Sequence, residues 1–194
     1  MSNAPITEFK KSLQHLAERI RSRRTVKLFL QQPVSRQLLR DAIEVARWAP
    51  NHHLTEPWHF YVLGEDAIAR SVELIRTVVT ERKGAEIGEF KANDAATRPG
   101  WLVVTCRRSD DELTEREDYA SVCCAIQNLS LYLSEAGLAS KWSTGPITRD
   151  LRFYELLGID ADDEFIVGLI WYGYPKITPT QQRKSVDEIT TELD

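Results

Sequence analysis

Cysteine is scarce in this chain, with three in 194 residues, and two of the three, Cys123 and Cys124, are adjacent. An odd, clustered set makes a poor disulfide framework, so a reducing cytoplasm is the expected compartment. Glycine is also sparse, at nine residues, and forms neither a Gly-x-Gly-x-x-Gly fingerprint nor a phosphate-binding P-loop. That argues against a Rossmann-type nicotinamide enzyme and a nucleoside triphosphatase. No Gly-x-Ser-x-Gly elbow supports a serine hydrolase. The four histidines, His15, His52, His53 and His59, lack the His-Glu-x-x-His spacing of a zinc helix. A metal site on His52, His53 and Glu56 is disfavoured because adjacent histidines should point in different directions, and no metal is expected. The longest apolar run, residues 165–172, falls far short of the roughly 20 residues that cross a bilayer. Residues 1–5 lack the charged and apolar zones of a secretory signal, so no membrane partner is expected. The net charge of −4 argues against a bulk attraction to nucleic acid, though not against a local anion site.

What the chain does have is the makeup of one ordinary globular domain, 42% hydrophobic and 28% charged. Phe9, Leu13, Leu16, Ala17 and Ile20 recur at helical spacing and lead into a basic end. Ser35 reads as the N-cap of a second helix presenting Leu38, Leu39, Ala42, Ile43 and Ala46. Pro50 and Pro57 bracket a loop before a short strand at 60–63. A helix is expected over 66–80. Residues 81–100 are weakly patterned and contain Gly84, Gly88 and Pro99, which predicts a loop or a mobile helical excursion. Strands follow at 101–106, 138–142 and 165–172. The 114–117 stretch has capping-box spacing, opening a long helix with a stripe of Tyr119, Val122, Cys123, Ile126, Leu129, Ser130 and Leu133 that Gly137 ends. A short helix spans 151–157, and the polar stretch 173–194 is a C-terminal extension. Alternating helices and strands favour a central sheet covered on both sides, an α+β domain.

Four segments carry candidate chemistry. Arg23, Arg24 and Lys27 place three cations in five residues, suited to a phosphate, with a Thr25 hydroxyl beside them. They are equally what a solvated helix C-terminus collects. The loop Pro50-Asn51-His52-His53-Leu54-Thr55-Glu56-Pro57 suits the wall of a flat aromatic ligand, or is a rigid turn with Trp48 and Trp58 in the core. Lys141-Trp142-Ser143-Thr144-Gly145-Pro146 follows a strand and offers backbone donors, or is an ordinary turn. Arg183 and Lys184 add cations, or a solvated tail.

In this order and spacing the segments resemble the FMN-dependent nitroreductase family, and its compact branch in particular. Arg23-Arg24-Thr25-x-Lys27 is similar to an Arg-Arg-Ser-x-Arg signature. Pro50-Asn51-His52 through Trp58 is similar to the family's loop, with Leu54 and Glu56 in place of its asparagine and glutamine. The resemblance implies a three-layer α/β/α sandwich with a mixed, mainly antiparallel sheet. It implies FMN held by Arg23, Arg24, Thr25, Lys27, Trp142, Ser143, Thr144, Gly145, Arg183 and Lys184, and by Pro50, Asn51 and His52 reaching a partner's flavin across a homodimer. The long helix is then the candidate centre of the interface, and 81–100 a candidate lid. NADH or NADPH would reduce the flavin at N5, and a nitroaromatic, quinone or similar small-molecule acceptor would reoxidise it, with no side chain singled out as catalytic. A flavin carrier without turnover, a specialised flavoenzyme of the same fold and a colourless α/β interaction domain are the other readings.

Overall fold

Apolar periodicity and end-capping chemistry set the chain's order: α1 (Ile6–Ser22), α2 (Arg36–Ala46), β1 (Trp58–Val62), α3 (Glu65–Lys83), α4 (Ala85–Ala96), β2 (Gly100–Arg107), α5 (Glu112–Glu135), β3 (Ala139–Ser143), α6 (Leu151–Leu157) and β4 (Glu164–Gly173). The computed structural model describes residues 6–193, with side chains from residue 10 onward. Residues 1–5, the Phe9 side chain and Asp194, the last residue of the expected extension, lie outside the described residues.

Helix ends follow local hydrogen-bond supply. The Ser35 hydroxyl accepts from the Leu38 N–H at 3.4 Å and caps α2 as expected. The long helix opens earlier than the 114–117 spacing predicts. Asp111 takes the cap position, accepting from the Thr114 N–H at 2.7 Å, so α5 begins at Glu112. At its other end Gly137 adopts φ +78°, and the Leu138 N–H returns to the Leu133 carbonyl at 2.9 Å.

The four strands pair in the order β1-β2-β4-β3, each pair antiparallel. The sheet is therefore antiparallel throughout, and parallel pairing is limited to one isolated bridge, Thr25 to Ser140 on the free edge of β3. Strands β2 and β4 are apolar on both faces because both faces are covered. Trp101, Val103, Leu169 and Trp171 meet α3, α4 and α6 through Val72, Ile75, Ala92, Ala95 and Phe153. Leu102, Val104 and Ile170 meet α2 and α5 through Leu39, Ala42, Val122, Ile126, Leu129 and Leu133. The result is the α/β/α sandwich.

Some expectations change. Residues 81–96 are helical: α3 runs to Lys83, Gly84 turns the chain, and α4 packs its Ala92 and Ala95 into the core. Its small-residue contact face, with Gly88 against Thr80, gives little hydrophobic signal. Much of the α5 stripe is the subunit's own core. Helix α1 leaves Leu13, Leu16 and Ile20 exposed, and α5 itself exposes Leu113 and Tyr119. Trp48 is 74% exposed, so it is not the core residue one reading made it. No helix among the described residues is long and apolar enough to cross a membrane.

Candidate functional site

The first basic segment ends beside the sheet because the Val26 N–H donates to the Ser140 carbonyl at 3.2 Å while the Val26 side chain is buried. Arg23 and Arg24 therefore line a small hollow with Ser130, Ser134 and Ser140. Burial, then neighbouring Arg24, then Arg183 hold the Arg23 guanidinium below its ordinary pKa. The C-terminal extension thus brings Arg183 back toward the start of the chain. Among the described residues no carboxylate lies within 4.0 Å of Arg23, Arg24 or Arg183. Arg24 turns one nitrogen onto its own backbone, at the carbonyls of Arg21 and Arg23. Lys184 is exposed, and no contact ties it to the hollow.

The end of β3 divides its side chains by face. Lys141, Ser143 and Gly145 line a cavity of about 250 Å³ walled by α3 and α4. Trp142 points to the opposite face, where its indole N–H donates to the Val167 carbonyl at 3.1 Å. Gly168 makes room there, since a Cβ at that position would overlap the indole. Thr144 lines neither space; it borders a wider groove of about 470 Å³ with Arg108, Tyr119, Arg149 and Phe165. The Thr144 and Gly145 amides donate to no backbone carbonyl among the described residues, leaving two donors at the strand end.

Around the first cavity the charges are mostly positive. Lys83 and Lys91 reach it from α3 and α4. Asp94, the one carboxylate in its lining among the described residues, is held by Arg98 at 2.6 and 2.7 Å. The Lys141 ammonium lies 4.4 Å from the Trp171 ring centroid. Burial, then Arg98, lowers its pKa; Asp94 opposes that, and Lys27 and Lys91 add to it. The buried Trp171 indole N–H has no acceptor.

The 50–57 loop is held away from both hollows, against the start of α5. His53, Leu54 and Glu56 adopt φ of +62°, +52° and +45°. Non-glycine residues adopt such values only when their surroundings enforce them. Asn51 supplies that enforcement: its Oδ1 accepts from the Glu56 N–H at 2.7 Å, and its Nδ2 donates to Thr55 at 3.0 Å and to buried Asp118 at 3.4 Å. Pro50, Asn51 and His52 line neither the Arg23 hollow nor the Ser143 cavity. His52 meets Glu117 at 2.7 Å. Its ring stacks on His53 with centroids 3.8 Å apart, so the adjacent histidines do not diverge as expected. The left-handed turn at His53 brings the rings together. No group of three metal-binding side chains exists among the described residues.

Sequence reading missed Lys83, Lys91, Lys141 and Trp171 as site residues. For Lys141 a signal existed: two positions before Ser143 on a strand, it must share that residue's face.

Comparison with known proteins gives one answer. Residues 20–174 match the Nitroreductase family. A Bacillus subtilis protein named "Putative NAD(P)H nitroreductase YfhC" is 32% identical over 92% of this chain and 94% of its own length. The nitroreductase-like family protein of Bacillus cereus superposes with a TM-score of 0.84 at 27% identity, over 100% of this chain and 99% of that one. The FMN-dependent nitroreductase NfnB of Mycobacterium smegmatis, solved with NADPH, shares the fold at TM-score 0.77 and 18% identity, over 94% and 100% of the two chains.

Proposed function

The chain belongs to the nitroreductase family, and on that premise we propose that it is an FMN-dependent NAD(P)H oxidoreductase acting on nitroaromatics, quinones or similar electron-poor acceptors. The observation that carries this reading is the Thr25–Ser140 bridge. It sets a cluster of cations without carboxylate partners at the start of β3, the strand whose other end carries two free amide donors and borders a cavity. A phosphate at one end of a ligand and a flat heterocycle at the other need that pairing.

Arg23, Arg24 and Arg183 would hold the phosphate, with Thr25 and Lys27 along the chain of the ligand, and Lys184 contributing from the extension. Ser143 and Gly145 would border the ring, with the Thr144 and Gly145 amides as preset donors at its edge. The orphaned Trp171 N–H and the lysine-rich wall support a polar ligand in the cavity. FMN, when bound, supplies the hydride chemistry at N5; the protein binds, orients and desolvates it. NADH and NADPH both remain donors in this reading, in keeping with the names of the relatives.

A homodimer completes the proposal. The Pro50-Asn51-His52 loop lines neither the Arg23 hollow nor the Ser143 cavity of its own subunit, yet the Asn51–Asp118 network holds it in place. A rigid projection suits a partner's site. The exposed Leu13, Leu16 and Ile20 offer apolar surface for the association. Helix α4 walls the cavity and is the candidate lid. The three free thiols suit a reducing cytoplasm. An absorption spectrum followed by anaerobic NAD(P)H titration tests the function. Flavin bands that bleach on titration are the expected result; bound flavin that no nicotinamide reduces would leave a carrier instead.

A further inference from the structure

We propose that Lys141, on the cavity face of β3, is the counter-ion for the negative charge a bound flavin ring gains on two-electron reduction, so that the site holds reduced FMN more tightly than oxidised FMN. This rests on the FMN reading above and assigns a task to a residue not among those the resemblance implied.

The cations fall into two groups, one on each side of the Thr25–Ser140 bridge. Arg23 lies close to Arg24 and Arg183. Lys27, Lys91 and Lys141 gather with Arg98 on the side of the cavity. Oxidised FMN carries its negative charge at the phosphate alone, which the first group can neutralise. A second anion arises only on reduction. The donor's C4–H bond breaks, the hydride forms a bond to N5, NAD(P)H becomes NAD(P)⁺, and the displaced electron pair rests on N1 and the C2 carbonyl of the ring.

Among the cavity's cations, Lys141 is the one suited to that charge. Lys27, Lys83 and Lys91 are exposed and keep their water. Lys141 is half-buried, with its ammonium over the Trp171 ring and no carboxylate within 4.0 Å among the described residues. Asp94 cannot serve it fully, because Arg98 grips both carboxylate oxygens. Arg98 in turn lies 5.4 Å from the Trp171 centroid, so the same indole has two cations as neighbours. A partly desolvated ammonium among cations is unfavourable until an anion arrives. The lowered pKa of Lys141 agrees with that placement. An anion forming beside it relieves the desolvation and repulsion together, and does so only in the reduced state.

Sulfite tests this without turnover. Its sulfur lone pair adds to N5 of oxidised flavin and leaves the same negative charge on the ring. FMN-loaded wild type, Lys141→Gln and Lys141→Arg are titrated with sulfite by loss of the visible flavin band, after oxidised-FMN affinity is measured by fluorescence. In Lys141→Gln, sulfite affinity should fall about tenfold or more while oxidised-FMN affinity changes less than about threefold, and Lys141→Arg should recover most of the loss. The flavin midpoint potential of Lys141→Gln should fall as well. Sulfite affinity within about twofold of wild type in FMN-loaded Lys141→Gln overturns the assignment, as does an equal loss for oxidised FMN and sulfite. Wild-type protein that takes up no FMN overturns the underlying function instead, and shows it before any sulfite is added.

Discussion

Thr25 and Ser140 form a parallel bridge, with the neighbouring Val26 N–H on the Ser140 carbonyl at 3.2 Å. That contact joins two stretches distant in sequence, the basic segment that follows α1 and the start of β3. Neither stretch is a site alone. One supplies charge at a small hollow; the other runs on to the larger cavity and two free amides. In the proposed function, their adjacency makes a basic helix end one side of the FMN site.

Arg23 should therefore matter for FMN and little for folding. Arg23→Ala removes a charge-assisted contact of about 1.5–3 kcal/mol. FMN affinity, read by flavin fluorescence quenching, should drop about tenfold or more. The urea midpoint should hold or rise, because the Arg23 guanidinium sits half-desolvated beside Arg24 and Arg183.

Asn51 should behave in the opposite way. Its side chain answers the Glu56 N–H, Thr55 and Asp118, and so holds three left-handed residues in place. Asn51→Ala should cost about 1–3 kcal/mol of stability in a urea titration, the typical penalty for stranding buried polar partners. If the loop serves the partner's flavin, FMN affinity falls too, by way of a disordered loop.

Gly168 is a packing prediction. A methyl there would overlap the Trp142 indole. Gly168→Ala should cost about 1–3 kcal/mol and break the Trp142–Val167 hydrogen bond, read as a shift in tryptophan emission.

Alkaline pH should weaken the fold through Cys106. Burial pushes its thiol from 9.0 up to about 12, with Asp118 and Glu115 adding to the rise. A group with a raised folded pKa binds its proton more tightly when folded. Its contribution is complete below pH 9 and is lost as pH climbs through about 12. Stability measured by denaturant titration should decline across that window, and Cys106→Ala should flatten the slope. An equally steep decline in the variant would assign the effect to the other groups with raised pKa values, Cys123, Tyr61, Tyr119 and Tyr172.

Most of the architecture was legible because the signals were local. Ser35 announced α2, the apolar runs announced β2 and β4, and Gly137 announced the end of α5. Helix α4 was not, because alanine and glycine pack closely without leaving a strong apolar period. In the site, clustered arginines were visible as a string of charges. Lys141 lies inside the 141–146 motif, but its meaning depends on a neighbour from another strand, Trp171, and on Asp94 being held by Arg98. The role of Asn51 as a loop clamp was hidden for the same reason. Its partner Asp118 comes from α5, and only the tertiary structure brings them together.

The most direct test compares FMN with riboflavin in equilibrium titrations of flavin-free protein. The two ligands share the ring and differ by the phosphate. Binding of FMN at one per chain, tighter than riboflavin by about tenfold or more, is the predicted result. Equal affinity for the two, or no quenching of either at excess protein, would contradict a phosphate grip built from Arg23, Arg24 and Arg183.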